Sequence, residues 1–225
     1  IFEKEFEKQG LPKELTRLPF VESSFNEKAQ SKVGATGVWQ IMPNIGKKFS
    51  IVGKYIDERN SPVKAAQMAA RLLKENYRGL KGWPLAVTAY NNGMGNLLRA
   101  IRRAKTRDLA RIIARNYKGA FKFASSNFYA SYLAALYAEK YHREIFKNTV
   151  ITKEPQLIKV PIRLTRSLKP MVLAKWAGIT MDELLELNLD IKRAVKNNKR
   201  LPRGFRVFLA PKNHKKLSQR LNSKS

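Results

Sequence analysis

Gly34-Ala35-Thr36-Gly37-Val38-Trp39-Gln40-Ile41-Met42-Pro43 is the stretch on which the fold of this chain turns. It sits inside residues 31–46, which hold three glycines and Pro43. Glycine at that density lets a backbone turn tightly or approach a ligand closely, though an ordinary loop satisfies the same pattern. Upstream, Leu18-Pro19-Phe20-Val21-Glu22-Ser23-Ser24-Phe25 places apolar residues on both sides of Glu22. A carboxyl desolvated in this way has a raised pKa and can stay protonated as a general acid. The competing reading is a partly exposed carboxylate at a helix end. Downstream, Ala89-Tyr90-Asn91-Asn92-Gly93 closes a helical stretch with a second glycine-marked break.

Taken together, the three stretches resemble a family. Glu22-Ser23 resembles the catalytic Glu-Ser of the soluble-lytic-transglycosylase (SLT) domain, glycoside hydrolase family 23. Residues 34–43 resemble its glycine-rich second motif ending in Gln-x-Met-Pro, and residues 89–93 its Ala-Tyr-Asn-x-Gly. The Trp39-containing form is most similar to the membrane-bound D-type members. Any one motif is weak; three in order are specific. The resemblance covers residues 11 to about 146 and implies a lysozyme-like, goose-type helical catalytic domain. It implies cleavage of the bond between N-acetylmuramic acid and N-acetylglucosamine in peptidoglycan, with Glu22 as the single acid/base and 1,6-anhydro products. Most glycosidases need two facing carboxylates, whereas the three motifs carry only Glu22. The alternatives are a goose-type hydrolytic lysozyme or a non-catalytic binder of peptidoglycan or another polyanion.

The same resemblance assigns Ser23, Gln40, Met42, Tyr90 and Asn91 to the substrate cleft, with Asn91 able to hold an N-acetyl group. Tyr90 also reads as a core aromatic. Trp39 and Trp83 read as core packing. The family's fourth motif places a tyrosine near the start of the last helix, where this chain has Ser125-Ser126-Asn127-Phe128-Tyr129. Phe128 aligns with the tyrosine, and neighbours on a helix point about 100° apart. Either the register shifts by one or the hydroxyl is lost; Tyr129 is favoured.

Elsewhere in residues 1–152, Leu11, Leu15 and Leu18 recur at helical spacing, and Pro19 is expected to bend or end that helix. Ser61-Pro62 opens a helix with Ala65, Met68, Ala69, Leu72 and Leu73 on one face, and Pro84 opens another. Further helices are predicted near residues 97–104, 108–116 and 126–146. Beyond residue 152 the pattern changes. Residues 157–164 alternate as a strand, with Pro161 marking an edge. A helix follows from Lys169 to a Gly178 cap, then a Thr180/Glu183 capping box, a turn at Leu201-Pro202-Arg203-Gly204, and a strand over 205–209. This small α+β module, residues 153–225, resembles a degenerate LysM domain. Its usual Gly-Asp-Thr-Leu turn is replaced by Arg166-Ser167-Leu168-Lys169. Residues 213–225 read as a basic, frayed tail.

With 45 Lys and Arg against 17 Asp and Glu, the formal charge of +28 favours polyanionic surroundings. Residues 153–225 hold 18 basic and 5 acidic residues, so the small module is the denser cation. No cysteine is present, and His142 and His214 alone make neither a metal site nor a triad; no cofactor is expected. Peptidoglycan glycan strands are the expected partner. Nucleic acid is disfavoured, association with an anionic membrane or an upstream outer-membrane anchor stays open, and a monomer is expected. The expected location is periplasmic, outer-membrane-attached or secreted.

Overall fold

A computed structural model describes residues 1–116, 123–150 and 158–222. The predicted strand residue Leu157 lies outside them. The chain is mainly helical, with one two-stranded sheet among the described residues. It divides into two compact units, Ile1–Phe49 with Pro62–Thr149, and Ser50–Ser61 with Val150–Ser225.

The first unit runs α1 (Phe2–Glu7), a 3-10 turn (Lys13–Arg17), α2 (Leu18–Glu22), α3 (Pro43–Phe49), α4 (Pro62–Leu80) and α5 (Trp83–Asn92). It continues with α6 (Met94–Ala104), α7 (Leu109–Asn116), α8 (Phe123–Lys140) and α9 (His142–Ile145). The leucine-spaced helix predicted from Leu11 is therefore split into a 3-10 turn and α2. Pro19 does not end a helix; it stands in the first turn of α2, where the backbone N–H it lacks would have no partner anyway. Of the predicted face, α4 buries Ala65, Met68, Ala69 and Leu73 and leaves Leu72 half-buried, and its alanines let α1 and α5 pack closely. Trp39 is fully buried, stacked on Phe6 at 5.3 Å and edge-on to Phe2 at 5.2 Å. Trp83 stacks on Tyr77 at 4.3 Å. Arg17 forks onto both Glu139 oxygens at 2.8 Å and also bonds Glu3, tying α1 to α8.

In the second unit β1 (Val160–Arg163) and β2 (Arg206–Leu209) pair antiparallel, Val160 opposite Leu209 and Arg163 opposite Arg206. Between them lie α10 (Pro170–Ala177), α11 (Met181–Leu187) and α12 (Lys192–Lys196). Gly178 caps α10 in the left-handed conformation, φ 66°, and Thr180 and Glu183 form the capping box of α11. Asn188, fully buried, donates to the Leu184 and Phe208 carbonyls and accepts from the Phe208 N–H, stitching α11 to β2. Ser50–Ser61 belongs to this unit: Ile56 joins its core, and the Asp57 N–H donates to the Asp190 carbonyl at 3.0 Å.

The frayed tail is a correction. Residues 211–222 form α13 (Pro211–Asn222), with Asn213, Leu217 and Leu221 buried. Leu217 and Leu221 lie one turn apart and enter the core, and the Asn213 amide donates to the Ala177 carbonyl at 3.0 Å. Pro211 at the first helical position starts the helix.

Candidate active site

Glu22 is the last residue of α2. Burial pushes its carboxyl up to about 8, from an ordinary value of 4.5. Among the described residues no charged neighbour contributes to this shift, so desolvation alone keeps the proton on. At neutral pH most of the molecules carry a neutral, proton-donating Glu22.

The motifs flanking it are stitched together by side chain-to-backbone bonds. The Ser23 hydroxyl donates to the Val38 carbonyl at 2.7 Å, joining the end of α2 to the glycine-rich stretch. The Gln40 amide donates to the Gly37 carbonyl at 2.9 Å and the Ala29 carbonyl at 3.3 Å. Gly37 has φ 75° and its N–H donates to the Ala29 carbonyl at 2.9 Å. A Cβ there would meet the steric cost of the left-handed region. Gln40 itself stands at φ 44°, a conformation that costs a non-glycine residue about 1 kcal/mol. Isolated bridges Gln30–Thr36 and Thr36–Ile41 complete the wrap. The stretch is thus a rigid, internally bonded turn.

Tyr90, near the end of α5, donates its hydroxyl to the Trp39 carbonyl at 2.8 Å. Burial pushes its phenol well up, and the nearby Glu22 carboxylate adds to the shift, which places the two groups within electrostatic reach. Asn91 is exposed, and its carbonyl oxygen accepts from the Ser125 hydroxyl at 3.0 Å. Its amide donors keep no protein partner among the described residues. Met42 is 37% exposed just before α3.

In α8 the adjacent pair divides. Phe128 is buried in the main core, while Tyr129 is half-buried, packs against that core, and has its phenol raised by burial. Ser125 was not among the residues singled out in the sequence. Its only signal there was its place one turn before Tyr129.

The transglycosylase SLT domain model matches residues 1–113, half of the chain. The chain belongs to the transglycosylase SLT domain family. It is 35% identical over 102 residues to membrane-bound lytic murein transglycosylase D of Escherichia coli K12, a match covering 44% of this chain and 23% of that protein. Among solved structures, an inactive mutant of lytic transglycosylase Slt from Pseudomonas aeruginosa is similar over 63% of this chain and 24% of its own, at 24% identity and TM-score 0.49. The 70 kDa soluble lytic transglycosylase of Escherichia coli is similar over 64% and 24%, at 23% identity and TM-score 0.49. The chain therefore spans about a quarter of these relatives.

Proposed function

We propose that this chain is a peptidoglycan lytic transglycosylase whose single acid/base is Glu22. The observation that carries the reading is the burial of the Glu22 carboxyl, which pushes it up to about 8, beside the three motif segments. Glu22 gives its proton to the glycosidic oxygen as the bond to the muramyl anomeric carbon breaks, and the muramyl N-acetyl group stabilises the cation. The resulting carboxylate takes the proton from the muramyl 6-hydroxyl, whose oxygen closes on the anomeric carbon. The proton returns to Glu22 and no water is consumed. The internal nucleophile is held at its target, which gives it an advantage over free water.

In this reading Asn91 donates its amide to an N-acetyl carbonyl, and Met42 and Tyr129 line the cleft. Ser23, Gln40 and Tyr90 act largely through the scaffold, since their polar groups bond the backbone of the glycine-rich turn. Catalysis is assigned to residues 1–152 and an accessory role to residues 153–225, with Ser50–Ser61 lending itself to the accessory unit. Among the described residues no helix is long and apolar enough to cross a membrane. A periplasmic location follows from the substrate.

Mass spectrometry of muropeptides released from purified sacculi tests this. Products ending in 1,6-anhydromuramic acid, absent with Glu22→Gln, are expected. Reducing-end products, heavier by one water, would assign the chain to the hydrolytic lysozymes instead.

A further inference from the structure

The second unit carries a charge division that the proposed reaction does not use. Its exposed acids, among the described residues, are Asp182, Glu183 and Glu186, all on α11; Asp57, Glu58 and Asp190 are buried. Cations gather elsewhere, on two loops that meet. Leu168 and Leu201 pair in an antiparallel bridge, their N–H groups donating to each other's carbonyls at 3.1 and 2.7 Å. Lys169 and Arg200 flank this bridge in sequence, and the Arg200 guanidinium donates to the Ser167 carbonyl at 2.5 Å and to its hydroxyl at 3.2 Å. Next along, Lys199 and Lys54 both lie over the Tyr55 ring, at 5.3 and 5.4 Å from its centre. Lys54, Lys169, Lys199 and Arg200 are exposed and form no ion pair among the described residues.

An apolar side chain adjoins this patch. Met171, 67% exposed, stands in the first turn of α10, two residues after Lys169 and one helical turn before exposed Lys175. A protruding thioether flanked by ammonium groups on long apolar stems suits the boundary between lipid headgroups and chains. The aromatic rings nearby are already covered by cations, Tyr55 by lysines and Trp176 by Arg166 at 4.8 Å, which disfavours base stacking.

We propose that this face of the second unit docks on the anionic surface of a lipid bilayer, with Lys54, Lys169, Lys199 and Arg200 on headgroup phosphates and Met171 in the interface. The docking is independent of the chemistry at Glu22. It concentrates the chain at a membrane surface by charge, and it weakens as salt rises.

Co-sedimentation of the whole chain with vesicles tests it. Binding is expected to vesicles one-third phosphatidylglycerol in phosphatidylcholine and not to phosphatidylcholine alone. Lys199→Gln with Arg200→Gln should weaken binding roughly 25-fold, about five-fold per cation. Met171→Ser should weaken it with no change of charge. Arg102→Gln with Arg103→Gln, an equal charge change on exposed residues of α6, should have little effect. Equal loss from both double variants would overturn the docking face in favour of overall charge. Binding to neutral vesicles, or tighter binding to single-stranded DNA through the same residues, would overturn it as well. Muropeptide release by Lys199→Gln with Arg200→Gln from detergent-extracted sacculi should match the wild type, which separates this inference from the catalytic one.

Discussion

The Tyr90 hydroxyl donates to the Trp39 carbonyl at 2.8 Å, tying the end of α5 to the glycine-rich turn within electrostatic reach of Glu22. Removing the hydroxyl leaves a part-buried carbonyl without that donor, at a cost of about 1–2 kcal/mol. Tyr90→Phe should therefore lower the melting temperature by roughly 4 °C. The turn would also be freed to shift against Glu22, so kcat should fall by roughly ten- to a hundred-fold. A fall in kcat with unchanged melting would make Tyr90 a substrate contact rather than a scaffold tie.

Glu22 should couple activity to instability through its proton. Its folded-state pKa of about 8 lies above the ordinary value of 4.5. Between these values the unfolded chain has released a proton that the native chain retains, so stability falls as pH rises. The contribution is fully present below about pH 4.5 and is gone above about pH 8, a change on the order of 5 kcal/mol. Glu22→Gln cannot ionise and should abolish turnover. Its urea midpoint should exceed that of the wild type by more at pH 8 than at pH 5. An advantage of equal size at both pH values would show that Glu22 is not desolvated. Wild-type activity should decline above about pH 8 as the acid form is depleted.

Much of this was legible in the sequence because it rests on local rules. The capping box at Thr180 and Glu183 and the left-handed Gly178 need only neighbours a few residues apart, and both were read correctly. The apolar face of α4 followed from its period. What escaped depends on distant partners. Leu217 and Leu221 in a strongly basic segment look like a tail until a core exists to receive them. Pro19 was expected to bend or end a helix, because a proline breaks a helix it interrupts but is accepted in the first turn of one, and the difference lies in the preceding backbone. At the site, the desolvation of Glu22 was suggested by its apolar flanks, while its proposed role came from the resemblance of the three motifs. The bonds that make Gln40 part of the turn were not, because they depend on where Ala29 and Gly37 end up in space.

Gln40→Ala tests that last assignment. The substitution strips a donor from two carbonyls and leaves a β-carbon at φ 44°. A loss of about 1–2 kcal/mol in stability is expected, with kcat reduced in step as the turn loosens. Gln40→Glu should fare no better, since a carboxylate cannot donate to those carbonyls. If either variant binds substrate more weakly while melting like the wild type, Gln40 touches the glycan instead.

The segment Ser50–Ser61 gives the last test, because a buried ion pair within it sets the local shape that presents Ile56 and the Asp57 N–H to the second unit. Asp57 accepts from the Arg59 guanidinium at 2.9 and 2.7 Å, both side chains being over nine-tenths buried. The same carboxylate accepts the Arg59 N–H at 3.2 Å, while the Asp57 N–H reaches the Asp190 carbonyl. Asp57→Ala deprives a buried guanidinium of its bidentate partner, which typically costs about 3 kcal/mol or more. Since Ile56 and the Asp57 backbone belong to the second unit, that unit should bear the loss. Trp176, the one tryptophan of the second unit, reports on it once Trp39 and Trp83 are replaced by phenylalanine. Its fluorescence should change at a lower urea concentration in Asp57→Ala. An unchanged Trp176 midpoint would mean that Ser50–Ser61 contributes nothing to holding that unit together.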